Sequence, residues 1–315
     1  MSDVVIVAGP TASGKSALAL ALAEEFSGTV INADSMQVYR DLHVLTARPG
    51  REEEARAPHR LYGVIDAAEA CSAGRWRNMA RVEVEAAQAA GRLPILAGGT
   101  GLYLHAWLHG LAAVPEVPQS ARAAARALHA ELGGAAFRAR LAELDPAAAV
   151  RLPAGDTQRL VRAYEVVTAT GRTLGEWQQL AVPPSRAASA PIAIVLLPPR
   201  AALYAACDAR VIAMVEDGAL EEVAALRARG LPPELPALKA VGLRELALCL
   251  DGMTTRADAI AAAQQATRRY AKRQYTWLRH RMAGMRTLPV EAQFSESLLP
   301  GIFSFIRQSL LTGKI

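Results

Sequence analysis

Val4–Ala8 is an unbroken apolar run, largely β-branched and halted by Gly9-Pro10. A run this short, without polar alternation, predicts a strand buried on both faces, as in a parallel sheet. Ala17–Phe26 follows with helix formers throughout, and Thr29–Ala33 predicts a second strand that ends at Asp34. Arg75–Ala90 predicts a helix stopped by Gly91, and Leu93–Ala97 a third strand running into Gly98-Gly99-Thr100-Gly101. Strands alternating with helices imply a doubly wound α/β sheet.

The pattern changes near Pro115. Strand-like runs vanish, and alanine-rich helical stretches take over at Gln119–Glu131, Ala135–Leu144 and Thr157–Thr170, with Pro183-Pro184 near the end. Ile192–Leu197 then restores the sheet pattern and is closed by Pro198-Pro199. Helices are predicted at Leu203–Asp217, Leu220–Arg229 and Arg256–Met282. The expected organisation is a core of residues 1–114 and 190–290, a helical insertion domain at 115–189, and a tail at 291–315.

Three strand ends carry the candidate chemistry. Gly9-Pro10-Thr11-Ala12-Ser13-Gly14-Lys15-Ser16 fits G-x-x-x-x-G-K-[ST], with a strand before it and a helix after it. Backbone N–H groups of such a loop face an anion, and the helix N-terminus adds positive potential. Lys15 supplies a point charge, and the Ser16 hydroxyl suits Mg²⁺. The loop specifies polyphosphate without specifying ATP, and makes the sheet P-loop NTPase-like. Asp34 follows the second strand, where a carboxylate serves as general base or cap. Ser35, Met36 and Gln37 follow, with polar groups able to read a base edge. Gly98 and Gly99 allow close approach to a ligand, and Thr100 could bond a nucleophile.

Charge adds one further feature. Lys and Arg total 35 against 30 Asp and Glu, a net +5, which is weak evidence for a polyanionic partner. Arginine dominates, which coding bias alone could produce, and only Lys15, Lys239, Lys272 and Lys314 are lysine. The stretch Arg268–Arg281 holds six Lys or Arg and no acid. At about 100° per residue, Arg268, Lys272 and Arg279 share one line, with Arg269 and Arg273 beside it and Tyr270 and Trp277 opposite. That suits a phosphate-tracking surface, or simply a solvated cationic helix. Arg200 and Arg210 could each reach a phosphate or an acidic partner. Asp156 reads as a helix cap, ahead of Gln158, Arg159 and Arg162.

A hydrophobic fraction of 52% with 21% charged residues excludes wholesale disorder. Cys71, Cys207 and Cys249 form no C-x-x-C, which argues against a disulfide framework or zinc site. No basic leader and no long apolar span appear, so a cytoplasmic protein without a membrane segment is expected.

Taken in order, GPTASGKS, NADSMQVYRDL, TARPG, PHRLYGVID, LPILAGGTGLYL, DTQRLVRAYEVVTATGRTLGEWQ, LKAVGLREL and QATRRYAKRQYTWLRH closely resemble the bacterial tRNA dimethylallyltransferases, or tRNA isopentenyltransferases. The resemblance runs from Val4 to about Arg281. It implies transfer of a dimethylallyl group from dimethylallyl diphosphate to the N6 amine of the adenosine 3′ of the anticodon, in tRNAs reading U-starting codons. By that resemblance Gly9 and Thr11–Ser16 hold the diphosphate with Mg²⁺ at Ser16. Asp34 is the catalytic base, and Thr100 its partner at the acceptor amine. Residues 34–37, Arg122 and Gln158–Arg162, including Leu160 and Val161, match segments that touch the anticodon stem-loop. Arg268, Arg269, Lys272 and Arg273 extend that surface. Ala205 and Ala206 stand where the family commonly carries arginine, so Arg200 and Arg210 are the candidates to close over the diphosphate. A monomer is expected. A small-metabolite kinase, an adenylate isopentenyltransferase and a non-catalytic RNA-binding module are the alternatives.

Overall fold

The computed structural model describes residues 4–180, 191–282 and 286–312. Pro183-Pro184 and the expected boundary at 189/190 lie outside the described residues. The chain divides into two compact units, Met1–Trp107 with Arg186–Ile315, and Leu108–Ser185.

The first unit is built on one parallel sheet. Its strands are β1 (Val5–Ala8), β2 (Gly28–Asn32), β3 (His59–Arg60), β4 (Leu93–Gly98), β5 (Ile192–Leu196) and β6 (Arg286–Val290), in the order β3-β2-β4-β1-β5-β6. β1, β2 and β5 are buried along their whole length, which is why they read as continuous apolar runs. The two edge strands left no such trace. β3 has two residues, and β6 is half-exposed with Pro289 inside it, as an edge tolerates.

Helices α1 (Lys15–Glu25), α2 (Arg51–Arg56), α3 (Ala73–Ala89) and α4 (Gly101–His109) connect the early strands. One core joins Val5, Val7, Leu18, Leu22, Val30, Ile95, Ile194 and Leu196. On α3, Trp76 is fully buried, stacks on Tyr103 at 4.4 Å and donates from Nε1 to the Asn32 carbonyl at 2.8 Å.

The second unit is helical: α5 (Gln119–Ala142), α6 (Pro146–Arg151), α7 (Thr157–Thr170) and α8 (Leu174–Gln179). The two helices predicted either side of Gly133-Gly134 are one element kinked at Gly133, where φ is +71°. Phe137, Leu141, Ala148, Leu160 and Val161 form its core.

The first unit resumes with α9 (Arg200–Glu216), α10 (Ala219–Ala228), α11 (Leu243–Leu250), α12 (Arg256–Arg281) and α13 (Leu299–Thr312). The stretch expected to be a tail is part of the fold. Ile302 and Ile306 of α13 join the sheet core, at 2% and 0% exposure.

Candidate active site

Register brings three loops to one edge. Ala8 of β1 pairs with Gly98 of β4, and Asn32 of β2 with Ala97, so residues 9–16, 34–37 and 98–101 leave the sheet side by side. The close approach demands glycine. A Cβ on Gly98 would lie 2.1 Å from the Ala33 carbonyl oxygen, and one on Gly99 2.6 Å from the Gly9 carbonyl oxygen.

The phosphate loop turns through Ala12 at φ +61° and Gly14 at φ +87°, then enters α1 at Lys15. The first N–H groups of a helix have no intrahelical acceptor, so this end faces an anion readily. Ser13 Oγ is buried and has no hydrogen-bond partner among the described residues. Thr11 differs from expectation. Its N–H already donates to Gln274 Oε1 at 2.8 Å, so its backbone is not offered to the anion.

Lys15 is 7% exposed. Burial lowers its pKa from an ordinary 10.5 to about 8; Asp34 opposes that shift and Arg210 adds to it. Arg210 donates from Nη2 to the Thr46 carbonyl at 2.7 Å and lines one cavity with Thr11, Asp34, Met36 and Tyr270. Arg200 instead is exposed, its guanidinium 5.9 Å from the Tyr275 ring. Of the two arginine candidates, the structure brings Arg210 to the cavity.

Asp34 is fixed by its neighbours. Its N–H donates to Asn32 Oδ1 at 2.8 Å, and its Oδ1 accepts from Met36 N–H at 2.9 Å. Thr100 Oγ1 accepts from Ser35 N–H at 2.9 Å and donates to Ser35 Oγ at 3.2 Å. Tyr270 lines the same cavity as Asp34, and burial and the Asp34 charge hold its hydroxyl neutral. Gln37 is buried, and its Nε2 donates to the carbonyls of Thr46 and Ala47, at 2.9 and 3.1 Å. Its amide nitrogen is thus committed to the loop and not open to a base edge. That loop has a second anchor: the Glu222 carboxylate accepts from the N–H groups of His43, Val44 and Leu45, at 2.7, 2.8 and 3.0 Å.

The long helix α12 corrects the sequence reading at three residues. Its buried face is Ala259, Ala263, Thr267, Ala271, Gln274 and Leu278, with Tyr270 beside it at the cavity and not merely an anchor. Gln274, passed over in the sequence, joins two loops: Oε1 takes Thr11 N–H, and Nε2 donates to the Gly99 carbonyl at 3.0 Å. A long amide side chain on a helical face rich in alanine was the signal available. Arg268 leaves the basic stripe to pair with Asp208. Arg269, Lys272 and Arg273 are exposed and line a shallow surface concavity with Thr276 and Trp277. Trp277 closes on Gly101, where an added Cβ would lie 2.5 Å from its ring.

The remaining candidates lie in the second unit. Arg122 is exposed on α5, and Gln158 and Arg159 are exposed on α7, which Asp156 caps. Leu160 and Val161 are core residues at 0% and 8% exposure, so they support that surface from beneath and do not present side chains to a partner. Arg162 binds Glu165 at 2.6 Å.

Among the described residues no group of three or more His, Cys, Asp or Glu side chains could hold a metal. Ser16, exposed on the first turn of α1, is the hydroxyl donor at the loop. One hydroxyl with waters and substrate phosphates is a donor set that fits Mg²⁺, which retains waters and shares phosphate oxygens.

A phosphate loop at the carboxyl edge of a parallel sheet, facing a carboxylate and an arginine, defines a P-loop group-transfer protein. The IPP transferase family model matches residues 37–281. The tRNA dimethylallyltransferase of Rhodospirillum rubrum is 57% identical over 314 residues, covering 99% of this chain and 96% of that one. That of Paramagnetospirillum magneticum is 58% identical over 313 residues, covering 99% and 98%. The chain belongs to the IPP transferase family. Among solved structures, the full-length tRNA isopentenylpyrophosphate transferase of Bacillus halodurans superposes with a TM-score of 0.71 at 30% identity, covering 100% of this chain and 98% of that one. A eukaryotic dimethylallyltransferase described as acting on tRNA gives 0.76 at 25% identity, covering 98% and 80%.

Proposed function

We propose that this chain transfers a dimethylallyl group from dimethylallyl diphosphate to tRNA, at N6 of the adenosine 3′-adjacent to the anticodon in tRNAs reading U-starting codons. The observation that carries the reading is the shape of one cavity. Thr11, Asp34, Arg210 and Tyr270 line its polar part, and Leu45, Val211, Met214, Val215, Ala240 and Leu246 its apolar part. A short hydrocarbon chain with a diphosphate head matches both parts.

An adenine amine is a weak nucleophile, because its lone pair is delocalised into the ring. The step forms a bond from N6 to the allylic carbon, breaks the carbon–oxygen bond, and leaves the electron pair on diphosphate. Lys15, Arg210 and the loop N–H groups lie where that charge develops, and such preorganised donors supply much of a site's rate enhancement. Asp34 takes the amine proton on the carboxylate oxygen not held by Met36. Thr100 and Tyr270 fix the rim against which the amine is aligned. Ser16 would hold Mg²⁺ together with the diphosphate, and the ion would supply neutralisation of leaving-group charge. The target base must leave the anticodon-loop stack to reach this depth. Arg269, Lys272 and Arg273, with Arg122, Gln158 and Arg159 of the second unit, are the proposed RNA-facing side chains.

The proposal includes a monomeric, cytoplasmic enzyme. All three cysteines are free, and no helix among the described residues is long and apolar enough to cross a membrane. The test is mass spectrometry of unmodified tRNA incubated with the protein, dimethylallyl diphosphate and Mg²⁺. A five-carbon mass gain on the anticodon-adjacent adenosine is expected. No gain, or a gain on free AMP only, overturns the reading.

A further inference from the structure

Gln293 follows β6, in the stretch the sequence marks as a tail, yet it reaches the phosphate loop. Its Nε2 donates to the Ala12 carbonyl at 2.8 Å. Its Oε1 is buried with no partner among the described residues. Turning the amide over would set two acceptor oxygens against each other, so the orphaned oxygen is the cost of holding Ala12.

Ala12 needs holding. Its φ of +61° is a conformation that a side chain with a Cβ rarely adopts, and it persists only where the surroundings fix it. Phe294 grips the loop on the other side of Ser13. A Cβ on Gly14 would lie 2.5 Å from the Phe294 Cβ, and Phe294 is itself packed against the sheet core. The chain thus holds its phosphate loop at two points from the C-terminal segment.

We propose that Gln293 is a positioning residue for the donor's diphosphate. It keeps Ala12 left-handed, so that the N–H groups of Gly14, Lys15 and Ser16 converge on the anion, while that of Ser13 is given to the Pro10 carbonyl at 3.3 Å. This rests on the proposed function, in which the loop takes that diphosphate.

The experiment is calorimetric titration of the full chain with inorganic diphosphate and Mg²⁺, beside steady-state kinetics. Gln293→Met keeps the side-chain length and removes the donor. Its affinity for diphosphate is expected to fall about tenfold, the loss of roughly one hydrogen bond's worth of organisation. KM for dimethylallyl diphosphate should rise in parallel, and kcat should fall by a smaller factor, because the loop N–H groups also meet the charge that develops on the leaving diphosphate. Adding Ala12→Gly to the Gln293→Met protein should recover most of the affinity, since glycine takes positive φ unaided. Gln293→Asn, one methylene too short, is the second variant and carries the same expectations should the Met variant fold poorly. Wild-type affinity in the variants, or a loss that Ala12→Gly does not recover, overturns the positioning role and leaves the proposed function standing. A wild-type chain that binds no diphosphate overturns both.

Discussion

Lys15 carries the sharpest conflict between stability and use. Its fall from 10.5 to about 8 places about 3 kcal/mol of penalty on the charged form. Because the folded pKa lies below the unfolded one, the unfolded chain holds the extra proton between pH 8 and 10.5. Stability from this group therefore rises with pH across that window. Lys15→Met should stabilise the fold by about 1–3 kcal/mol in a urea titration at pH 7 while abolishing diphosphate binding in calorimetry. In the wild type, diphosphate affinity should weaken as pH rises through about 8 and the ammonium is lost. Asp34 supports that charge, so Asp34→Ala should move the edge to lower pH. The same variant should lose about 10²–10⁴ in kcat and still bind diphosphate at pH 7. Near-normal turnover in Asp34→Ala would remove the carboxylate from the mechanism.

At the scale of the element, α12 separates two kinds of arginine. Among the described residues Arg269, Lys272 and Arg273 have no acidic partner in an ion pair, and Arg273 lies 5.6 Å from the Tyr270 ring. Replacing each should flatten the slope of log affinity against log salt for tRNA by about 0.7, read by filter binding across a salt series. Arg268→Ala should leave that slope unchanged, because Asp208 already neutralises it. The sequence distinguishes neither case, since Asp208 is sixty positions away on α9 and no periodicity on α12 reports it. The strand ends were legible for the opposite reason. Gly9–Ser16, Asp34 and Gly98–Gly101 each depend on a local backbone geometry that leaves a local mark. Gln274 and Tyr270 act across loops, and their roles exist only once β1, β2 and β4 are aligned. Leu160 and Val161 belonged to a motif, and burial decided which of its side chains face outward.

For the whole molecule, the C-terminal segment is structural where the sequence suggested an appendage. Its apolar residues are few, and its strand is an edge, so neither leaves a strong pattern. Ile306 is fully buried against the sheet, and Ile306→Ala should cost about 2–5 kcal/mol by chemical denaturation. A change below about 0.5 kcal/mol would place α13 outside the cooperative unit. Charge is also distributed at this scale. Three consecutive N–H groups at His43–Leu45 make a concavity that any oxyanion could enter. Glu222 already sits in it, so the protein is its own ligand there. An enzyme whose substrate is a polyanion thereby has one fewer N–H cluster to act as a decoy for phosphate.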